Sequence, residues 1–98
     1  MQRHGYVYIL TNRPYGTLYT GVTGNLQLRL TMHRDGTGSA FARTYRLTRL
    51  VYAEKHDRIA EAIHREKVLK KWRRDWKIKL IEGQNPDWND LAGQLPFD

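Results

Sequence analysis

Three tyrosines near the N-terminus are the first side chains whose type and spacing could do chemistry. Tyr6 and Tyr8 would share one face of a strand, because side chains alternate along it, and Tyr19 follows Tyr8 by eleven positions. Phenols gathered on one surface could position a water molecule or move a proton. Tyrosine is also a common strand residue that packs its ring and hydrates its hydroxyl, and the residues alone favour this structural role.

Arg29 and His33 form a second candidate pair. They are four residues apart, so both would lie on one face of a helix, bordered by Leu26 and Leu30. This places the two polar groups at the edge of the core. A guanidinium group can donate two hydrogen bonds to a phosphodiester and stabilise charge on its oxygens. The alternative is that both side chains simply extend from the core margin into water.

Glu66 is the most informative single residue. A helical projection places it in the middle of an apolar stripe. The stripe consists of Ile59, Ala62, Ile63 and Leu69. A carboxylate at that position is costly unless it is paired, hydrogen-bonded or bound to a cation. Two interpretations stay open: an ion pair with Arg65, Lys70 or Arg29, and a ligand for Mg²⁺, a hard ion that prefers oxygen.

The chain has 98 residues, a net charge of +7 and no cysteine. This length suits one small domain with a single core, and the lack of cysteine excludes disulfides, zinc fingers and thiol nucleophiles. All seventeen basic residues lie in residues 1–79, whereas residues 80–98 hold four acidic residues and no basic one. The basic excess predicts a polyanionic partner, and the acidic end is not expected to contact it.

The strongest concentration of basic charge lies in residues 65–79, which carry a net charge of +6 with Trp72 and Trp76 interleaved. This stretch could follow a phosphate backbone, although helical spacing would spread part of it over a solvated surface. The two tryptophans are expected in the core rather than as stacking platforms. The other histidines have no metal-ligand spacing and are expected at the surface. They are His4, His56 and His64.

Hydrophobic patterning and turn residues predict an α/β fold, in which helices flank a three-stranded antiparallel sheet in the order β-β-α-β-α-α. The predicted strands are 6–10, 17–23 and 48–54, and the predicted helices are 26–34, 58–71 and 74–82. Asn25 and Asp57 are expected to cap the first two helices, and Gly36 and Gly83 to end the first and third. Asn85 is expected to start a last helical turn.

These motifs resemble those of the GIY-YIG nucleases, in which a Gly-Ile-Tyr strand precedes a Tyr-Ile-Gly strand and an arginine lies on the next helix. The matching segments are Tyr6-Val7-Tyr8-Ile9-Leu10, Leu18-Tyr19-Thr20-Gly21 and Asn25-Leu26-Gln27-Leu28-Arg29-Leu30. The similarity covers about residues 5–90. It is greatest to small single-domain bacterial members, which share Arg65-Glu66-Lys67 and Asn85-Pro86-x-Trp88. Two positions depart from the pattern, since Tyr6 replaces the first glycine and Thr20 replaces the second isoleucine.

The resemblance implies a metal-dependent endonuclease that hydrolyses phosphodiester bonds in nucleic acid. Its catalytic residues would be Tyr8, Tyr19, Arg29, His33 and Glu66. Glu66 would hold Mg²⁺, for which Mn²⁺ could substitute, and Arg29 would bind the scissile phosphate. A tyrosine is argued to be the base in some members of the family, and a hydroxide on the metal in others. His33 would hold a phosphate oxygen or the attacking water.

The expected partner is nucleic acid, DNA rather than RNA. The basic side chains expected to contact it are Arg43, Arg65, Lys67, Lys70 and Lys71. The alternative function is a non-catalytic or partner-dependent nucleic-acid-binding module, and a protein partner or homo-oligomer is left open. One domain is expected over 1–98, with its motif-bearing core at about 5–83 and an acidic segment at 84–98. No apolar run suits a membrane helix or signal peptide, so we expect a cytoplasmic protein.

Overall fold

The computed structural model describes residues 3–94, which form three strands, four α-helices and a 3₁₀ turn. In chain order they are β1 (Gly5–Thr11), β2 (Leu18–Thr23), α1 (Leu26–Asp35), α2 (Ala40–Tyr45), β3 (Arg49–His56), α3 (Ile59–Lys70), α4 (Arg74–Gln84) and the 3₁₀ turn η1 (Leu91–Gly93). The predicted α/β class with a three-stranded antiparallel sheet is confirmed. None of the described helices is long and apolar enough to cross a membrane.

β1 is the central strand of the sheet, whose order is β2-β1-β3 with antiparallel pairing on both sides. All seven residues of β1 are buried, because helices cover both faces of the sheet. Tyr6, Tyr8 and Leu10 pack with residues of α1 and α2, whereas Val7 and Ile9 pack with residues of α3 and α4. Alternate residues of this strand therefore pack into clusters on opposite faces of the sheet.

α1 begins and ends where the sequence predicts. The Asn25 side chain accepts a hydrogen bond from the Leu28 backbone N–H at 3.0 Å, which satisfies one of the free donors of the first turn. Gly36 ends the helix in the left-handed conformation, with a φ of 82°. The buried residues of this helix are Leu26, Leu30 and His33. The helix therefore carries a histidine into the core on the tyrosine face of the sheet.

α2 is absent from the predicted order. Ser39 caps it by accepting from the Ala42 backbone N–H at 3.3 Å, and the Ala42 side chain is buried. Arg46 ends the helix in the left-handed region, with a φ of 55°. Because this helix has six residues and no terminal glycine, it carries neither a long apolar period nor the usual stop signal.

The predicted cap of α3 is wrong. Arg58, not Asp57, occupies the N-cap position, and its side chain makes no capping hydrogen bond. The backbone N–H of Ile59 instead donates to the carbonyl oxygen of Arg3 at 2.6 Å. The segment before β1 therefore satisfies a free donor of the first turn that a side chain was expected to satisfy.

The predicted end of α4 is also wrong. Gly83 lies inside this helix, which continues to Gln84. Asn85 starts no helical turn, since Pro86 and the residue after it form a turn closed by a backbone hydrogen bond to the Asn85 carbonyl. The helical turn occurs later, at η1, where the Asp90 side chain is the cap.

The last residue of α4 and the segment after it cover the outer edge of β3. The Gln84 side chain accepts from the Ala53 backbone N–H at 3.2 Å and donates to the Ala53 carbonyl at 2.9 Å. The buried Asn85 side chain donates to the Val51 carbonyl at 3.1 Å. These side-chain amides satisfy backbone N–H and C=O groups of β3 that would otherwise be free to pair with another strand. The edge of the sheet is therefore protected from pairing with a second chain.

We expect Asn85→Ala to lower the free energy of unfolding by roughly 2 kcal/mol, because the buried Val51 carbonyl loses its donor. Denaturation in urea measures this loss. Asn89→Ala is the matched control, since Asn89 takes part in these hydrogen bonds through its backbone alone. Its change should stay below about 0.5 kcal/mol, and equal losses in the two variants would contradict the interpretation.

Candidate active site

Tyr8 lies at the centre of the candidate site, and the residue opposite it must be a glycine. Tyr8 is 1% exposed and pairs across the sheet with Gly21. A Cβ atom at Gly21 would lie 2.5 Å from both Cζ and the hydroxyl oxygen of Tyr8. No real Cβ tolerates that distance, so the missing side chain is what allows the phenol to lie across β2. The glycine of this strand motif is therefore a steric requirement.

The Tyr8 hydroxyl forms a hydrogen bond with Nε2 of His33, at 3.0 Å. Burial raises the pKa of Tyr8 far above its usual range, and the charges of Tyr19 and Glu66 add to this effect against an opposing effect of Arg29. Burial and the Arg29 charge lower the pKa of His33. Both partners are therefore neutral near pH 7, and we assign Tyr8 as the donor, because the opposite direction would leave its hydroxyl proton unpaired.

The second ring nitrogen of His33 is a buried polar atom without a partner. Within residues 3–94, Nδ1 of His33 has no hydrogen-bond partner. The backbone of Gly38 passes so close that a Cβ there would lie 2.7 Å from Nδ1. An unsatisfied buried group costs about 1–3 kcal/mol. The retention of this histidine in the core therefore favours a functional role over a purely structural one.

Tyr19 and Arg29 complete the tyrosine face of the site. The Tyr19 ring centroid lies 6.3 Å from that of Tyr8 and 5.5 Å from that of His33, and Tyr19 remains half-buried. α1, which carries Arg29, packs on the same face of the sheet as Tyr8, and the Arg29 charge lowers the pKa of both Tyr8 and His33. The Tyr6 ring lies 5.4 Å from that of His4.

Glu66 reaches the site from α3, which packs on the other face of the sheet. Its charge contributes to the raised pKa of Tyr8, although the residue is only 8% exposed. Of the three cations considered from the sequence, Lys70 is the partner, with its Nζ 2.7 Å from Oε2 of Glu66. Arg65 pairs with Glu54 instead. The apolar stripe around Glu66 is narrower than predicted, since Ile63 is 40% exposed.

The donor set around Glu66 suits one hard cation bound through a single carboxylate. Within the described part of the chain, no group of three His, Asp or Glu side chains could hold a metal ion. The Lys70 ammonium group contacts Oε2 of Glu66. A single carboxylate fits Mg²⁺, which usually keeps several waters. The Lys70 ammonium group would compete with such an ion for the carboxylate.

The basic side chains predicted to contact nucleic acid differ in their solvent exposure and in the other contacts that they make. Four of them are exposed: Arg43, Lys67, Lys70 and Lys71. Arg65 is half-buried, because its Nε donates to Oε1 of Glu54 at 2.9 Å and its guanidinium lies 5.3 Å from the Trp72 ring. His56 also binds Glu54, at 2.8 Å. Arg65 is therefore part of a structural network as well as of the basic surface.

The prediction that the tryptophans of the basic stretch belong to the core is wrong for Trp76, whereas Trp72 packs against the cluster of Val7, Ala62 and Leu69. Trp72 is half-buried, whereas Trp76 is 45% exposed. The Arg73 guanidinium lies 4.8 Å from the Trp76 ring and covers part of it. The buried tryptophan is Trp88, which is 1% exposed. Trp88, from the segment after α4, is therefore the tryptophan that packs in the cluster with Ile9, Val51 and Ile81.

Two aromatic residues beside the site were not predicted from the sequence. Phe41 and Tyr45 lie on α2, and the Phe41 ring stacks on Tyr19 at a centroid distance of 6.2 Å. The only local signal for this helix is Ser39, a favourable N-cap residue before a short run of good helix formers. Because this helix was not predicted, neither was the position of these rings next to Tyr19.

The hairpin, α1 and α3 form a small α/β domain that carries these candidate side chains. A family model described as the GIY-YIG catalytic domain matches residues 4–79. The chain belongs to the GIY-YIG family, in agreement with the resemblance of its sequence motifs. This is a family of nucleases, so nucleic acid is the substrate class that membership implies.

Proteins similar to this chain carry the name UPF0213. One from Staphylococcus haemolyticus is 39% identical over 82 residues, which are 84% of this chain and 98% of the relative. One from Syntrophus aciditrophicus is 40% identical over 83 residues, covering 84% and 93% of the two chains. The solution NMR structure of a Bacillus halodurans UPF0213 protein has a TM-score of 0.57 and 27% identity, covering 97% of this chain and 99% of that one.

Gly21→Ala should destabilise the protein by roughly 1–3 kcal/mol, because the new methyl group would displace the Tyr8 phenol. Gly83→Ala is the matched control. A Cβ at Gly83 meets nothing within 4 Å, and alanine is the better helix former, so this change should be neutral or stabilise by about 0.5–1 kcal/mol. Thermal denaturation of both variants measures the contrast. Equal stability of the two variants would contradict the steric role of Gly21.

The pH dependence of stability should report the burial of His33. Its pKa in the folded protein lies below the unfolded value of 6.5, so the unfolded chain binds the proton first as the pH falls. The contribution of His33 should be complete above about pH 6.5 and decline below it. Glu54 has a lowered pKa, so its own contribution is lost only below the usual 4.5.

Melting temperatures measured between about pH 7.5 and pH 5 distinguish the contribution of His33 to this decline from the contributions of the other histidines. His33→Gln should remove part of the decline, whereas the change of an exposed histidine, His64→Gln, should leave it intact. A His33→Gln variant whose melting temperature falls as steeply as that of the wild type would contradict the lowered pKa.

Proposed function

We propose that this protein is an Mg²⁺-dependent endonuclease that hydrolyses phosphodiester bonds, in DNA rather than RNA. One observation supports the proposal: the Tyr8 hydroxyl is hydrogen-bonded to His33 at 3.0 Å and its ring lies 6.3 Å from that of Tyr19. A second phenol, a guanidinium and a buried carboxylate all influence the pKa of Tyr8, and an imidazole binds its hydroxyl. These groups come from two strands and two helices, so a common structural role does not explain their convergence.

Arg29 is the residue we assign to the scissile phosphate. It is half-buried at the edge of the core, and its charge acts on the rings of the site. A guanidinium held there can donate two hydrogen bonds to phosphate oxygens and stabilise the charge that gathers on them. Partial burial strengthens this interaction, because the effective dielectric constant is lower than in water.

The two tyrosines have different roles in this proposal. Tyr19 is the accessible phenol, and we assign to it the contact with the attacking water. Tyr8 is buried and its hydroxyl is engaged by His33, so we assign to this pair a positioning role. The hydrogen bond ties α1 to the central strand, and Arg29 lies one helical turn before His33. The pair therefore fixes the direction of the phosphate-binding side chain.

Glu66 would hold the metal ion. Bound there, Mg²⁺ would neutralise charge on a phosphate oxygen and assist the activation of water. Lys70 is the competing cation, but its side chain is 53% exposed and can turn away into water. The basic side chains around this position would then contact the phosphates on either side of the scissile bond.

Glu66→Gln tests the proposal directly. Cleavage of a labelled oligonucleotide in Mg²⁺ should fall about a hundredfold or more, since a metal ion contributes several kcal/mol to such a transition state. Binding measured in EDTA should hold or increase, because a negative charge near the phosphates is removed. Stability should change by less than about 1 kcal/mol, because the Lys70 partner is mostly exposed.

Glu61→Gln is the matched control, since Glu61 is an exposed carboxylate on the same helix. It should cut at the wild-type rate. A Glu66→Gln variant that melts early but cuts normally would show a structural ion pair instead of a metal ligand. Wild-type protein that binds nucleic acid in a salt-dependent way, yet cuts none of the linear, nicked, branched or single-stranded substrates, would support the non-catalytic alternative.

A further inference from the structure

A row of three aromatic rings leads from the candidate active site to the surface. The Tyr19 ring lies 5.5 Å from His33, the Phe41 ring lies 6.2 Å from Tyr19 at an interplanar angle of 26°, and the Tyr45 ring lies 4.8 Å from Phe41. Exposure increases along the row, from the half-buried Tyr19 to 46% for Phe41 and 49% for Tyr45. The row is therefore continuous with the site and ends in solvent.

The fold does not require the two outer rings. α2 is anchored by Ala42, which is 2% exposed, and by Leu47 just after it, which is fully buried. Phe41 and Tyr45 keep nearly half of their surface in water and belong to none of the described core clusters. Large apolar rings left in water beside an active site are a feature of binding surfaces.

The charge around the row favours an anionic partner. Arg43 and Arg46 are exposed and belong to the same helix or its cap, and residues 36–46 contain no acidic residue. A partner that suits this surface presents flat apolar faces together with negative charge. Nucleobases on a phosphate backbone have this combination, since every base has a face that can stack on an aromatic ring.

We propose that Phe41 and Tyr45 stack unpaired nucleobases next to the scissile phosphate. The inference rests on the proposed function and names its substrate class: a single strand, or the unpaired strand of a flapped or branched duplex. Inside a duplex both faces of each base are covered by its neighbours, so a base must be free or flipped out to reach these rings. A fully paired duplex would contact the arginines but not the aromatic row.

Binding measured without cleavage tests the stacking separately from the chemistry. Fluorescence anisotropy in EDTA, on the Glu66→Gln background, compares a single-stranded DNA oligonucleotide, a blunt duplex of the same sequence and a duplex with a single-stranded flap. The single strand and the flap should bind more tightly than the blunt duplex. Phe41→Ala combined with Tyr45→Ala should weaken binding of the single strand and flap about tenfold and change duplex binding less than about twofold.

Leu28→Ala is the matched control, because Leu28 is 56% exposed and lies on α1, outside the row. It should change none of the three affinities. Phe41→Tyr, which keeps a stacking ring, should bind the single strand like the parent. A 2-aminopurine base in the single strand should lose fluorescence on binding to the parent, but not on binding to the double alanine variant.

Several outcomes would overturn the inference. One is a double alanine variant that binds the single strand like the parent, and another is one that loses single-strand and duplex binding equally. A change of oligomeric state in that variant, with unchanged DNA binding, would show that the rings form a protein interface. Failure of the proposed function gives a different result, because wild-type protein in Mg²⁺ would then cut no substrate even if the stacking contrast holds.

Discussion

The hydrogen bond between Tyr8 and His33 is the interaction on which the arrangement of the site depends. It can form only because Gly21 leaves the space over β2 open, and it joins the central strand to α1 at a buried position. The helix can then rotate little about its axis, so the side chain one turn earlier, Arg29, must face the same surface. Gly21 thus permits the hydrogen bond that ties the helix carrying Arg29 to the central strand.

Both faces of β1 are covered by helices, and the helix that carries Glu66, α3, lies on the face opposite to Tyr8. Odd-numbered and even-numbered residues of this strand pack against different helices, so α1 and α3 lie on opposite faces of the sheet. Glu66 is carried by the helix that packs on Val7, yet its charge acts on Tyr8. A carboxylate in this position is not half of a deeply buried ion pair, because Lys70 remains mostly in water. It is held by the packing of its helix.

The sequence predicted those parts of the fold that rest on strong local signals. Asn25 and Gly36 bound α1 because a side-chain cap and a left-handed glycine each have a specific geometry. Prediction failed where a distant segment replaced the local signal. The carbonyl of Arg3 serves the first turn of α3 in place of Asp57, and α2 ends at an arginine instead of a glycine. The approach of Tyr19 to His33 could be inferred only from a family resemblance.

The polar groups that this fold leaves poorly satisfied are unevenly distributed. Two buried side-chain atoms in residues 3–94 lack a partner, Nδ1 of His33 and Oγ1 of Thr20, and both residues belong to the motif-bearing elements α1 and β2. Glu66 adds a carboxylate to a largely apolar helix face. Apolar residues of similar size would remove these costs, since unsatisfied buried groups destabilise by about 1–3 kcal/mol each. The proposed chemistry assigns no role to Thr20. His33, in contrast, binds the Tyr8 hydroxyl, and the Glu66 charge raises the pKa of Tyr8. The buried polar groups of His33 and Glu66 are therefore the ones whose cost in stability the proposed reaction would explain.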